Sequence, residues 1–157
     1  MPGLLNGERF PSLSFETVAH GHLDLPDYLA GGYGVVLGYR GSWCPYCNAQ
    51  LASFQRRLDQ LTEAGISVVA MSSDDLEHAQ ETVDKHHLTF PVGYGLDAEV
   101  TATTLGGYWD SGRGALESTN FLLTADGLIE VAVYSSKVLG RLVVDDVLGY
   151  VDHLKKR

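Results

Sequence analysis

The sequence is poor in positive charge. Its 157 residues carry 11 Lys and Arg against 20 Asp and Glu, which gives a formal net charge of −9. The longest basic cluster is the terminal Lys155-Lys156-Arg157. Because nucleic acids and anionic membranes attract proteins through positive patches, we expect neither as a partner.

Long apolar runs are also missing. No run of hydrophobic residues reaches the length that spans a bilayer, and Met1 to Pro11 lacks a basic segment followed by an apolar core. The sequence therefore predicts a cytoplasmic protein without a secretory signal. The hydrophobic fraction of 45% and charged fraction of 20% are typical of a soluble globular chain of one domain, here residues 1–157.

Cysteine is scarce, and both cysteines belong to one motif. A chain with only Cys44 and Cys47 has no disulfide framework, and it lacks the second Cys pair that would complete a zinc site. Covalent haem attachment would need His after the second Cys, where Asn48 stands. We therefore expect no metal and no cofactor. In a reducing cytosol two cysteines favour a redox or catalytic pair.

The cysteine pair lies where a strand is predicted to end and a helix to begin. The apolar run Val35-Val36-Leu37-Gly38 predicts a buried strand, and the residues after Cys47 follow a helical period. Unpaired N–H groups and the positive end of the helix dipole stabilise a thiolate there, which lowers a thiol pKa from about 8.5 to roughly 3.5–7.5. Residues three apart on a helix are neighbours, so Cys44 and Cys47 can cycle between dithiol and disulfide.

The remaining pattern alternates strands and helices. Pro45 opens a helix that is predicted to stop at Gly65, and Ser73 or Asp74 is predicted to cap the next helix. The other predicted elements are a strand at 66–71, a short edge strand within 88–94, a brief helix at 99–105, a loop at 106–117, a hairpin of 119–123 with 128–134, and a closing helix carrying Val144 to Leu154. A parallel central pair with a late antiparallel hairpin predicts an α/β three-layer sandwich with a mixed central sheet. Such sheets place their sites at the carboxyl ends of strands, where the two cysteines fall.

Four segments between about Gly7 and Leu154, nearly the whole chain, form a family pattern. They are Phe10-Pro11-Ser12-Leu13, Tyr39-Arg40-Gly41-Ser42-Trp43-Cys44-Pro45-Tyr46-Cys47 with Gln50-Leu51, Val68-Val69-Ala70-Met71-Ser72 and Phe121-Leu122-Leu123-Thr124-Ala125-Asp126-Gly127. In these segments the sequence resembles the peroxiredoxin-like redoxins, of alkyl hydroperoxide reductase and thiol-specific antioxidant type. The resemblance implies a thioredoxin-like fold. The segment Trp43 to Cys47 also resembles the thioredoxin and glutaredoxin motif.

The two families imply opposite roles for the two sulfurs. The peroxiredoxin register places the peroxide-reactive thiol at Cys47, with Cys44 at its Thr position and Arg40 at its Pro position. In thioredoxins the first cysteine, here Cys44, attacks and the second resolves. The family positions of the peroxiredoxin Arg and of the thioredoxin cis-Pro before the hairpin strand hold Ser118 and Thr119 in this chain.

The resemblance implies a thiol-dependent oxidoreductase that reduces hydroperoxides through Cys44 and Cys47. Arg40 is the predicted cation beside them, whereas Arg113 and Arg141 cannot be placed from sequence. Regeneration by an external thioredoxin- or glutaredoxin-like thiol reductant is implied, and a homodimer is allowed. Glu117 is weighed as a buried proton relay, but an exposed carboxylate is favoured.

Two alternatives stay open. The first is a thioredoxin-type protein-disulfide reductase with Cys44 as nucleophile. The second is a non-enzymatic redox sensor, although the chain shows no dedicated segment for binding a partner.

Overall fold

The computed structural model describes residues 3–157, which form strands, α-helices and a 3-10 turn at Asp27–Leu29. The strands are β1 (Leu13–Thr17), β2 (His22–Leu25), β3 (Tyr33–Gly38), β4 (Ile66–Met71), β5 (Val92–Tyr94), β6 (Trp109–Asp110), β7 (Ala115–Leu116), β8 (Thr119–Leu123) and β9 (Ile129–Tyr134). The helices are α1 (Pro45–Arg56), α2 (Leu58–Glu63), α3 (Leu76–His86), α4 (Ala98–Leu105) and α5 (Val144–Lys155).

Seven of these strands form one mixed sheet in the order β2-β1-β5-β4-β3-β8-β9. Strand β3 lies near its centre, parallel to β4 and antiparallel to β8, and Val35 pairs with Val68 on one side and Leu122 on the other. The predicted parallel pair and late antiparallel hairpin are therefore confirmed, because β8 and β9 are antiparallel neighbours.

Both faces of the sheet are buried at its centre, because consecutive residues of β3 and β4 point to opposite sides and nearly all of them are buried. Val35 and Leu37 pack against α1 and α5, in the cluster that also holds Cys44 and Cys47. Val36 packs on the other face with Leu105 of α4 and the aromatic residues of the N-terminal segment. Helices thus cover both faces, and the predicted three-layer α/β arrangement is confirmed.

The prediction of an edge strand at 88–94 was wrong. Strand β5 lies inside the sheet, between β1 and β4, because the antiparallel hairpin of β1 and β2 extends the sheet beyond it. Pro91 precedes the strand, so its missing N–H costs no ladder bond, and its carbonyl accepts from Ala70 N–H at 3.0 Å.

Three other features differ from the predictions: the end of a helix, a capping residue and the content of a loop. The helix that begins at Pro45 ends at Arg56, because Arg57 leaves helical geometry before α2 begins. Asp75, rather than Ser73 or Asp74, caps α3 by accepting from His78 N–H at 2.9 Å. The predicted loop at 106–117 contains the short hairpin of β6 and β7.

Within residues 3–157 no helix is both long and apolar enough to cross a membrane.

Candidate active site

The site is built where β3 gives way to α1. Cys44 occupies the N-cap of α1 in extended conformation, and Pro45 takes the first helical position, where its missing N–H costs nothing. The Sγ of Cys44 accepts from the backbone N–H of Cys47 at 3.4 Å. A sulfur therefore satisfies one of the free donors of the first turn, in the position that a Ser or Asp oxygen usually fills.

Cys47 lies in the first turn of α1 and receives two donors. The backbone N–H of Arg40 donates to its Sγ at 3.3 Å, and the Nη2 of Arg141 lies 3.1 Å from it. Proline has no N–H, so an Arg at this peroxiredoxin Pro position supplies a donor that proline could not. Both thiols are free and buried.

Arg40 also brings its side chain to the pair. Its Nη1 lies 3.9 Å from the Sγ of Cys44, and its Nε donates to Oε1 of Glu117 at 2.6 Å. Both side chains of this ion pair are more than nine-tenths buried. The favoured prediction of an exposed Glu117 was therefore wrong: the chain before β8 turns its carboxylate inward, and Arg40 neutralises it.

Arg141 reaches the site from a segment without regular structure. This segment, residues 135–143, connects β9 to α5, and we name it the strap. The Nη2 of Arg141 lies 3.6 Å from the Sγ of Cys44 as well as 3.1 Å from that of Cys47, so one guanidinium contacts both sulfurs. The peroxiredoxin Arg position holds the buried Ser118, and a cation from another element comes to the thiols.

The protons of the two thiols are distributed unequally. Burial disfavours a charge on Cys44, but hydrogen bonds from the Cys47 thiol, the Cys47 backbone and Arg40 outweigh it, so the pKa of Cys44 lies below its ordinary value. Burial, together with the hydrogen bond that it gives to Cys44, raises the pKa of Cys47 to about 11. Of the two thiols, Cys44 is therefore the one that ionises more readily, while the proton of Cys47 is held more tightly.

Aromatic side chains form the rim of the site. Trp43 is 40% exposed and lies between two guanidinium groups, with the carbon of Arg40 at 4.7 Å from its ring centroid and that of Arg113 at 4.1 Å. The guanidinium of Arg141 lies 5.9 Å from the ring centroid of Tyr46. A Cβ on Gly41 would collide with the indole of Trp43, so a larger residue there would push the ring from its place.

The structure thus brings the three predicted site residues, Cys44, Cys47 and Arg40, to one place. Arg141 joins them, whereas Arg113 lies on Trp43 and no hydrogen bond joins it to either sulfur within residues 3–157. No functional role was predicted from the sequence for two further residues, Gln50 and Asn120. Within the described part of the chain no group of three or more His, Cys, Asp or Glu residues could hold a metal ion.

Comparison with known proteins gives a consistent result. The model of the AhpC/TSA family matches residues 6–132. A peroxiredoxin of Thermococcus kodakarensis is 30% identical over 158 residues, which cover 95% of this chain and 71% of that protein. A putative peroxiredoxin of Mycobacterium tuberculosis is 31% identical over 145 residues, with 88% of this chain and 90% of that protein covered.

Solved structures agree on the fold. A crystal structure of a mutant of peroxiredoxin 6 from Arenicola marina superposes with a TM-score of 0.85 at 17% identity, covering 98% of this chain and 74% of that one. The expected thioredoxin-like α/β fold, in the form that peroxiredoxins have, is confirmed.

Proposed function

The chain belongs to the AhpC/TSA family, and from this premise we propose that it is a thiol peroxidase that reduces hydroperoxides through Cys44 and Cys47. The observation that carries the proposal is a buried thiol pair at the N-terminus of α1 with one guanidinium, that of Arg141, in contact with both sulfurs. A peroxidase needs a thiolate and a positive group near the oxygen that leaves.

In the first step the thiolate of Cys44 attacks the terminal oxygen of the hydroperoxide. An S–O bond forms, the O–O bond breaks, and the alkoxide leaves and takes a proton to become an alcohol. The sulfur loses two electrons and the peroxide gains them. The guanidinium groups of Arg40 and Arg141 stabilise the negative charge that develops on the departing oxygen.

In the second step Cys47 attacks the sulfur of the Cys44 sulfenic acid. An S–S bond forms, the S–O bond breaks, and the departing hydroxide takes the proton of Cys47 to become water. That proton is well placed, because in the reduced pair the Cys47 thiol donates to Cys44. Rapid disulfide formation protects Cys44 from further oxidation.

This order rests on which of the two thiols ionises more readily. The peroxiredoxin register predicts instead that Cys47 attacks first and Cys44 resolves, and that assignment stays a prediction. We propose the reverse order because a protonated thiol is a poor nucleophile, and the lowered pKa belongs to the capping residue Cys44.

Single-cysteine variants test the proposal. Cys44→Ser should lose hydroperoxide consumption, whereas Cys47→Ser should still form a sulfenic acid on Cys44 that a chemical trap captures, without forming the internal disulfide. The matched measurement is hydroperoxide consumption and mass-spectrometric trapping on both variants. A trapped sulfenic acid on Cys47 in Cys44→Ser would show that the peroxiredoxin register gives the correct order. A wild-type protein that consumes no hydroperoxide would contradict the peroxidase itself.

A protein-disulfide reductase is the second candidate, and the same capping thiolate favours it. A low-pKa thiol at the first position of a Cys-Pro-Tyr-Cys turn attacks disulfides by the same chemistry that it uses on peroxides. Reduction of insulin disulfides by the wild-type protein, without hydroperoxide consumption, would favour this candidate.

The cycle needs an electron donor. We propose an external thioredoxin- or glutaredoxin-like thiol, and therefore a cytoplasmic setting where such reductants are kept reduced. A single redoxin domain over residues 1–157 stays a prediction that limited proteolysis would test. A homodimer stays a prediction that a sedimentation experiment would test.

A further inference from the structure

The side chain of Arg141 meets the body of the protein at the two sulfurs and at the ring of Tyr46, whose centroid is 5.9 Å from its guanidinium. Its other hydrogen bond goes to the carbonyl of Val138, which belongs to the same strap. Its buried Nε has no hydrogen-bond partner within residues 3–157. The position of this guanidinium over the thiols therefore depends on how the strap itself is attached.

The attachment lies one residue further along the chain. The backbone N–H of Leu142 donates to Oδ1 of Asn120 at 2.9 Å, and the carbonyl of Leu142 accepts from Nε2 of Gln50 at 2.9 Å. The same Nε2 of Gln50 also donates to Oδ1 of Asn120 at 2.9 Å. Two side-chain amides thus bind both polar groups of one backbone residue, and we name this arrangement the amide clamp (Gln50, Asn120 and the backbone of Leu142).

The two ends of the amide clamp are fixed by the elements that build the site. Asn120 lies on β8 opposite Leu37 of β3, the strand that leads to the cysteines. Gln50 lies on α1, less than one turn beyond Cys47. The amide clamp therefore attaches the strap to the same strand and helix that carry the thiols.

Burying two side-chain amides costs free energy, and a role in packing alone would not require that cost. Asn120 is fully buried and Gln50 is 6% exposed, while Oε1 of Gln50 is left without a partner in the described residues. A buried amide that leaves one of its groups unpaired is less stable than an apolar residue of similar size. The hydrogen bonds that both amides do make converge on Leu142, which is next to Arg141.

We propose that Gln50 and Asn120 are positioning residues that set the guanidinium of Arg141 against the two sulfurs. The inference rests on the proposed function for the role of Arg141 in turnover. Without the amide clamp the strap loses its attachment to β8 and α1, and the guanidinium no longer lies in contact with the thiol pair. A displacement of about 1 Å of a catalytic group can lower a rate by about 100-fold.

The test is a double-mutant cycle between Asn120→Ala and Arg141→Gln. Asn120→Ala should lower kcat/KM for hydroperoxide by about 10- to 100-fold and raise the pKa of the reactive thiol, measured from the pH dependence of iodoacetamide alkylation. In the Arg141→Gln background the same substitution should change kcat/KM by less than about twofold and leave the thiol pKa where Arg141→Gln alone puts it, because its effect passes through Arg141.

The controls separate positioning from folding. Thr82→Ala removes a buried polar side chain on α3 whose hydroxyl donates to the carbonyl of His78 rather than to any group of the site, and it should leave both quantities at their wild-type values. Gln50→Met removes the donor with little change of volume, and it provides the same test if Asn120→Ala does not fold. In the wild type the Leu142 amide, which donates to Asn120, should exchange its hydrogen slowly, and in Asn120→Ala it should exchange quickly.

Two results would overturn the inference. One is an equal loss of activity from Asn120→Ala in the wild-type and Arg141→Gln backgrounds, and the other is an unchanged thiol pKa in Asn120→Ala. Because the alkylation series needs no substrate, it decides the inference even if the wild-type protein consumes no hydroperoxide.

Discussion

Two arginines contact the thiol pair, and the regions that supply them are built differently. Arg40 follows the central strand β3, is buried, and forms an ion pair with Glu117 at 2.6 Å. Arg141 lies in the strap, where neither helix nor strand fixes the backbone, and its place depends on the amide clamp. The comparison suggests that one cation is part of the folded core, while the other can be removed with little effect on the fold.

The largest effect is expected when Arg40 loses its partner, Glu117. Glu117→Ala removes the carboxylate that is paired with the buried Arg40 guanidinium and should lower the free energy of unfolding by about 3–5 kcal/mol, measured by urea denaturation. The control is Asp152→Ala, which removes the exposed ion pair with Lys156 and should leave the free energy of unfolding nearly unchanged. A loss below about 1 kcal/mol in Glu117→Ala would mean that Arg40 is not held as a core residue.

Arg141→Gln tests the other half of the comparison, the arginine that the strap supplies. Removing one positive donor from the developing charge should lower kcat/KM by about 100-fold, while the free energy of unfolding should change by less than about 1 kcal/mol. Arg113→Gln is the matched control, because that guanidinium lies on Trp43 rather than on a sulfur, and it should change kcat/KM by no more than about twofold. Equal losses of activity in the two variants would contradict a specific role for Arg141.

The smallest expected effect is a pH dependence. In the reduced protein one thiolate should form below the ordinary pKa of cysteine and the second only near pH 11, as followed by the ultraviolet absorbance of the thiolate. For Cys44, whose folded pKa is lowered, the stabilising contribution is present above the unfolded pKa and is lost as the pH falls through the folded one. For Cys47, whose folded pKa is raised, the contribution is present below the unfolded pKa and is lost as the pH rises through about 11. Two thiols that titrate together at an ordinary pKa would contradict the unequal proton distribution.

The sequence predicted those parts of the fold that local patterns determine. The strand before Cys44, the helix that begins at Pro45 and the hairpin of β8 and β9 each have their signal within a few consecutive residues. The interior place of β5 was missed because it depends on pairing with β1, a partner far away in the chain. Pro91 indicated an edge, but it lies just outside the strand.

The residues of the candidate site were likewise predictable only where their signal is local in the sequence. Cys44 and Cys47 are apparent from their spacing, and Arg40 from its position beside them. Arg141 lies 94 residues from Cys47, and the Gln50 side chain binds a carbonyl 92 residues away. No short pattern marks such contacts, since they arise only when the strap packs across the end of the sheet. A buried amide in a strand, such as Asn120, is a weak signal that could have been followed, because amides are uncommon at buried positions without a partner.

The N-cap role of Cys44 has an energetic consequence for electron transfer. When the sulfur is an anion, the free donors and the dipole at the start of α1 stabilise it, and when the sulfur is in a disulfide this stabilisation is lost. Because the helix stabilises the reduced, anionic form relative to the disulfide, it raises the reduction potential of the pair. About 1.4 kcal/mol of such stabilisation corresponds to a shift of about 30 mV toward a more oxidising couple. The start of one helix thus tunes how readily the oxidised protein accepts electrons.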